Sequence, residues 1–245
     1  MHLCYETIGS DSAEPLVFLH GLGSGKIQTT SALTDLTDHR LIAVDLPGHG
    51  GSMDFDPANF SFDYFADLVV ELMDHLGLEK TNLGGLSMGS GISLNIALRY
   101  PERVKKLIIL RPSWLDSPKP AHLAFAAKPA WETEAEFSAR PDFQDLLATN
   151  QPVAQSVLGL YQRTDNRVLE KMWKDCPFSS LEKLKNVSNL ALVLDSPRDE
   201  LHPAEVAEKI HDALPNSSLV HLPPRYHEPA AYQTSLNQHL NNFLK

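Results

Sequence analysis

The chain has 245 residues, 42% of them apolar, and a formal net charge of −10. That length and composition set an expectation of one globular domain, with room for an insertion and a real buried core. The acidic balance is spread along the chain and argues against nucleic acid or an anionic membrane as partner, since either would want a basic patch. Two cysteines, Cys4 and Cys176, form no disulfide framework and lack metal-ligand spacing.

The opening MHLCYETIGS has no basic region followed by an apolar stretch, so no signal peptide is expected, and no run approaches the length of a membrane span. A cytoplasmic protein is the expectation. Short continuous apolar runs then recur: PLVFLH (15–20), RLIAVDL (40–46), TNLGGLS (81–87), KKLIIL (105–110), NLALVLD (189–195) and SSLVHL (217–222). Each is bounded by turn signals, as buried parallel strands should be. Between them lie helix patterns. SFDYFADLVVELMDHLG places Phe62, Phe65, Leu68, Val69, Leu72, Met73 and Leu76 at helical spacing and stops at Gly77. GISLNIALRYPERV follows the third run, PAEVAEKIHDALP precedes the last, and AAYQTSLNQHLNNFLK closes the chain with Tyr232, Leu236, Leu240 and Phe243 on one face.

Strand and helix in alternation imply an α/β fold, a mostly parallel central sheet with helices on both faces. The alternation breaks between roughly Pro112 and Lys185, a stretch with several short helical patterns. The expected organisation is a core of residues 1–111 and 186–245, with 112–185 as a helical cap insertion.

Ser87 lies in Gly85-Leu86-Ser87-Met88-Gly89, a G-x-S-x-G pentapeptide between a predicted strand and a predicted helix. A strand that turns sharply into a helix holds its central residue in strain and needs tiny neighbours two positions away. The serine is then presented at a helix N-terminus, where developing negative charge is favoured. The alternative is a mere tight turn. FLHGLGSGK (18–26) has glycines at 21, 23 and 25 that let backbone N–H groups turn outward. The amides of Leu22 and Met88 are the two expected oxyanion donors. The loop matches neither GxGxxG nor GxxxxGK[ST], so a nucleotide cradle is disfavoured. His20 reads as a structural histidine that orders this loop.

A serine nucleophile needs a base and the base needs an orienting carboxylate. Eleven histidines are available. His227, in the loop between the last strand and the last helix, is the expected base. His221 falls within a strand, His239 in the last helix, and His202 and His211 in or beside the preceding helix. For the acid, LVLDSPRDELHP offers Asp199 first, then Asp195; Asp116 is an outside candidate.

Together the HGLGS loop, DLPGHGGS (45–52), the GLSMG elbow, RYPERVKKLIIL, the D-x-x-x-P that begins at Asp199 and the final histidine resemble the α/β-hydrolase superfamily over nearly the whole chain. The family often has Gly-His at the base, and here the order is Arg225-Tyr226-His227. The resemblance implies a serine hydrolase acting on a small or medium carboxylic ester through an acyl-enzyme, with Ser87, His227 and Asp199 as its triad and no metal or organic cofactor. Alternatives are C–C bond or thioester hydrolysis, perhydrolysis, a lyase-type relative, or a ligand receptor with little turnover. Arg111 and Trp114, just after a strand, are candidates to meet an acidic or aromatic substrate group, although locking a cap onto its base is the commoner use of such residues.

Overall fold

In the computed structural model, residues 2–36, 38–126, 132–163 and 166–245 are described. Seven strands form one sheet: β1 (Tyr5–Ile8), β2 (Glu14–Leu19), β3 (His39–Val44), β4 (Thr81–Leu86), β5 (Val104–Leu110), β6 (Leu190–Asp195) and β7 (Ser217–His221). Their spatial order is β1-β3-β2-β4-β5-β6-β7. All neighbours are parallel except β1, which pairs antiparallel with β3. The six predicted runs are therefore strands β2 to β7. The edge strand β1 carries no such signal, because all four of its residues are exposed.

Side chains alternate along the strands between two cores, as the pleat requires. Val17 and Leu19 of β2, Ile42 and Val44 of β3, and Leu107 and Ile109 of β5 face one core. Into it pack α2 (Phe62–His75), α3 (Met88–Arg99) and α8 (Ala204–Ala213). Leu16, Phe18, Leu41, Ile108, Leu110, Leu192 and Leu194 face the other, closed by Tyr232, Leu236, Leu240 and Leu244 of α9 (Pro229–Leu244). The helix α1 (Lys26–Ala32), of sequence KIQTTSA, has no apolar stripe and escapes a reading of periodicity.

Between β5 and β6 the chain forms α4 (Glu134–Ser138), α5 (Pro141–Thr149), α6 (Gln151–Arg163) and α7 (Asn166–Trp173), with short 3-10 turns on either side. Residues 127–131 and 164–165 of the expected 112–185 insertion lie outside the described residues. Phe137 stacks on Tyr161 at 4.4 Å and tilts against Phe143 at 5.0 Å, which ties α4, α5 and α6 together. The segment is pinned to the sheet layer by polar bonds. Asp175 accepts from the Phe62 amide at 2.8 Å, and Asn150 Nδ2 donates to Glu200 at 2.7 Å.

Because β2, β4, β5, β6 and β7 are parallel, the loops after them gather at one edge of the sheet. The order reverses between β2 and β4, which opens a crevice there. The junction of β4 and α3 is unusually tight. A Cβ on Gly85 would lie 2.2 Å from the backbone of Gly89, and one on Gly89 would lie 2.3 Å from the carbonyl oxygen of Leu19. Neither neighbour is a movable side-chain tip. We expect Gly85→Ala to cost more than about 4 kcal/mol, the range reserved for backbone conflict and severe overpacking. Gly77→Ala, where nothing lies within 4 Å and only the φ of +69° is strained, should cost about 1–2 kcal/mol. Urea denaturation of the two variants checks the contrast.

Candidate active site

Ser87 follows β4 directly, at φ 56° and ψ −112°. A non-glycine residue at positive φ is strained. The strain is held by its amide, which donates to the Leu110 carbonyl at 3.1 Å, and by the glycine contacts described above. Its hydroxyl donates to Ser113 Oγ at 3.3 Å, and Ser113 donates in turn to the Leu201 carbonyl at 2.7 Å. Ser87 lines a pocket between the sheet layer and the segment that joins β5 to β6. The apolar wall comes from Leu22, Leu86 and Leu201 of the sheet layer and from Trp114, Leu123, Leu160, Leu169 and Trp173 of the segment between β5 and β6.

The loop after β2 is braced by two neutral histidines. His20 Nδ1 donates to the Gly21 carbonyl at 2.7 Å, and its Nε2 accepts from the Leu46 amide at 3.0 Å. His49 Nε2 accepts from the Gly23 amide at 3.0 Å, and its Nδ1 donates to the Pro47 carbonyl at 3.0 Å. Burial, with the neighbouring His49, pushes His20 down to about 3. Buried Asp45 completes the brace, accepting from the Lys26 amide at 2.6 Å, the Lys26 ammonium at 2.8 Å and the Gly51 amide at 2.9 Å. Gly21 N–H donates to Gln28 Oε1 at 2.8 Å. Gly21 and Gly23 are thus engaged, whereas among the described residues the Leu22 amide between them has no acceptor. Met88 is the first residue of α3, where a helix has no internal acceptor for its N–H.

Asp199 sits in the loop after β6, buried, with Oδ2 2.8 Å from Arg111 Nη1 and 2.9 Å from His202 Nδ1. A carboxylate only accepts, so Nδ1 of His202 carries the proton and Nε2 holds the lone pair. Burial alone would raise the Asp199 pKa, but His202 and Arg111, with help from Arg225, hold it well below the usual carboxylate range. Burial holds His202 below the ordinary imidazole value; Asp199 opposes this and Arg111 adds to it. His202 is therefore a neutral base near pH 7, and it lines the same pocket as Ser87.

His227 stands elsewhere. It is exposed, is not part of the pocket wall, and among the described residues its ring makes no hydrogen bond. Arg225 and Tyr226 of the same loop line the pocket instead. The structure thus brings Ser87, Leu22, Arg111 and Trp114 to one cavity, places Asp199 against Arg111, and pairs that carboxylate with His202 rather than His227. Asp195 is held by His221 at 2.9 Å, and Asp116 accepts from the Leu181 amide at 2.8 Å. Ser113 and Arg225 were not foreseen. The signal for His202 was present in the sequence: Asp199-Glu200-Leu201-His202 spans one turn, closed by His202 N–H on the Asp199 carbonyl at 3.0 Å.

A family model for the alpha/beta hydrolase fold matches residues 14–231, and the chain belongs to that family. It is 24% identical to an uncharacterized hydrolase, YugF, of Bacillus subtilis (strain 168), over 100% of this chain and 95% of that protein. It is 26% identical to Lipase 3 of Moraxella sp. (strain TA144), over 89% of this chain and 73% of that one. The crystal structure of the enol-lactonase from Burkholderia xenovorans LB400 superposes with a TM-score of 0.80 at 18% identity, covering 99% and 96% of the two chains. No helix among the described residues is long and apolar enough to cross a membrane.

Breaking the buried ion pair from one side should be costly, because the remaining charge has no water to turn to. We expect Arg111→Met and Asp199→Leu each to destabilise the fold by about 3–5 kcal/mol, and the double variant to lose far less than the sum. Denaturant midpoints of the three variants check this.

Proposed function

We propose that this protein hydrolyses a small or medium carboxylic ester through an acyl-enzyme on Ser87. The observation that carries the reading is the strained serine, φ 56°, facing a cavity that also holds a neutral histidine locked to a buried carboxylate. Ser87 Oγ attacks the carbonyl carbon and His202 takes the hydroxyl proton. Asp199 keeps the imidazole in the tautomer with Nε2 free and stabilises the imidazolium that forms. The amides of Leu22 and Met88 receive the oxyanion. The proton then passes to the leaving alcohol, and water, activated by the same imidazole, releases the acid. The segment 112–185 serves as a cap that supplies most of the apolar wall. The same groups serve a thioester or an activated C–C bond, and an oxygen ester is the simplest substrate for them.

His202 takes the place as base that the chain order Ser, Asp, His would assign to His227. Its bond to Asp199 and its place in the pocket wall support the choice. A second reading, a ligand receptor with little turnover, is favoured by one contact: Ser87 donates to Ser113, not to an imidazole.

A fluorophosphonate probe with intact mass separates the two. A single adduct on the wild type and none on Ser87→Ala is expected; no adduct on folded wild type would favour the receptor. With p-nitrophenyl esters, His202→Ala should lower kcat/KM by about a hundred- to ten-thousand-fold, and His227→Ala by far less. The reverse ranking would return the base to His227. Protonation of the base abolishes activity, and burial lowers the His202 pKa from 6.5. The acid limb of the kcat/KM profile should therefore fall below pH 6.5.

A further inference from the structure

The polar part of the pocket wall combines neutral groups, Ser24, Gln28, Ser87, Ser156, His202 and Tyr226, with cations. Two guanidinium groups reach it, Arg111 and Arg225, and the carboxylate paired with them is that of Asp199. Arg111 Nη1 takes that carboxylate at 2.8 Å. Arg225 has no carboxylate within ion-pair distance among the described residues; its backbone amide is fixed by Ser196 Oγ at 2.8 Å and its cation lies over the Tyr226 ring at 5.4 Å. The charge of Arg111 beside it, and then burial, lower the basicity of Arg225, so the two cations repel across this wall. With His202 neutral, the cluster carries one positive charge in excess.

Nε1 of Trp114 and Nε1 of Trp173 lack an acceptor among the described residues, and beyond Asp199 the Arg111 guanidinium has the Tyr226 hydroxyl beside it. Arg111 and Trp114 are almost completely buried. Buried donors are ordinarily satisfied, and leaving one unpaired is costly. These donors lie just beneath the pocket surface and put partial positive charge behind it; with the excess cation of Arg225 at the wall itself, they call for a ligand that carries negative charge.

We propose that the substrate is a monoanion: an ester whose acyl or alcohol part carries a free carboxylate, seated against Arg225 with Arg111 behind it, while its carbonyl lies at Ser87. A carboxylate matches the cluster in two ways. Its single charge cancels the single excess charge, where a phosphate monoester dianion would overshoot, and its two oxygens offer about four acceptor sites. A guanidinium takes it in a bidentate fork. The leucine and tryptophan side chains of the wall fit a short hydrocarbon spacer. This inference rests on the ester-hydrolase reading for the position of the carbonyl, but the anion seat stands without turnover.

The test is therefore made by binding, on Ser87→Ala, which cannot form an acyl-enzyme. Isothermal titration with monoethyl glutarate, diethyl glutarate and inorganic phosphate compares a monoanionic ester, its neutral counterpart and a free phosphate. The monoester should bind at least about tenfold more tightly than the diester. That advantage should shrink with added salt, vanish in Arg225→Gln and return in part in Arg225→Lys. Phosphate should not displace the monoester. Equal affinities for the two esters, including no measurable binding of either, overturn the proposal. So does an advantage that survives Arg225→Gln, or displacement by phosphate at comparable concentration. A failed fluorophosphonate reaction alongside an intact preference for the monoester would sink the hydrolase reading and leave the anion seat standing.

Discussion

One buried carboxylate organises the edge of the sheet where the pocket lies. Asp199 has lost water almost entirely, and a charge in that position is tolerable only with partners. It takes one from each side: Arg111, from the loop after β5, and His202, three residues ahead in its own loop. The consequences spread from there. Arg111 must enter its loop at φ 42°, with its amide on the Leu194 carbonyl at 2.6 Å. That sets the start of the stretch carrying Ser113 and Trp114, which faces Ser87. The loops after β5 and β6 are thus tied by charge, and neutral hydrogen bonds through Ser113 link the loop after β4 to both.

The elbow is the second constraint, and it is steric. Gly85 lies against the backbone of Gly89, and Gly89 against that of Leu19, so that neither tolerates a β-carbon, and Ser87 holds the turn in backbone strain. Electrostatics and sterics therefore converge on the same few cubic ångströms. A pocket built this way has its polar groups positioned before a ligand arrives, which is what makes fixed dipoles effective against developing charge.

Much of the fold was legible in the sequence because its signals are local. Six strands are continuous apolar runs, and α2 and α9 carry apolar stripes that the structure buries. The elbow was legible because a close backbone approach demands glycine. What escaped was tertiary in origin. The edge strand β1 and the short α1 have no buried face to write a period. His227 was expected to meet Asp199 because of where its loop lies in the chain; yet the Pro223–Tyr226 stretch brings Arg225 and Tyr226 to the pocket and leaves His227 in solvent. A histidine within one turn of its carboxylate needs no loop closure to find it, and that advantage is visible only when side-chain reach is weighed against chain order. Arg225 carried no signal at all: its meaning depends on Arg111, more than a hundred positions away in the chain.

His20 and His49 bear on how this protein would answer acidification. Both rings are wired between backbone groups as neutral donor-acceptor struts, and burial lowers the pKa of each. They are histidines by composition and spacers by behaviour. In a proton titration followed by imidazole resonances, His20 would stay silent through the range in which an ordinary ring changes state, and His49 would change state on the acid side of the ordinary ring. The His20 strut should accordingly keep its place beside Leu22 as the medium turns mildly acidic, and the first response of this edge of the sheet to added protons would come from elsewhere.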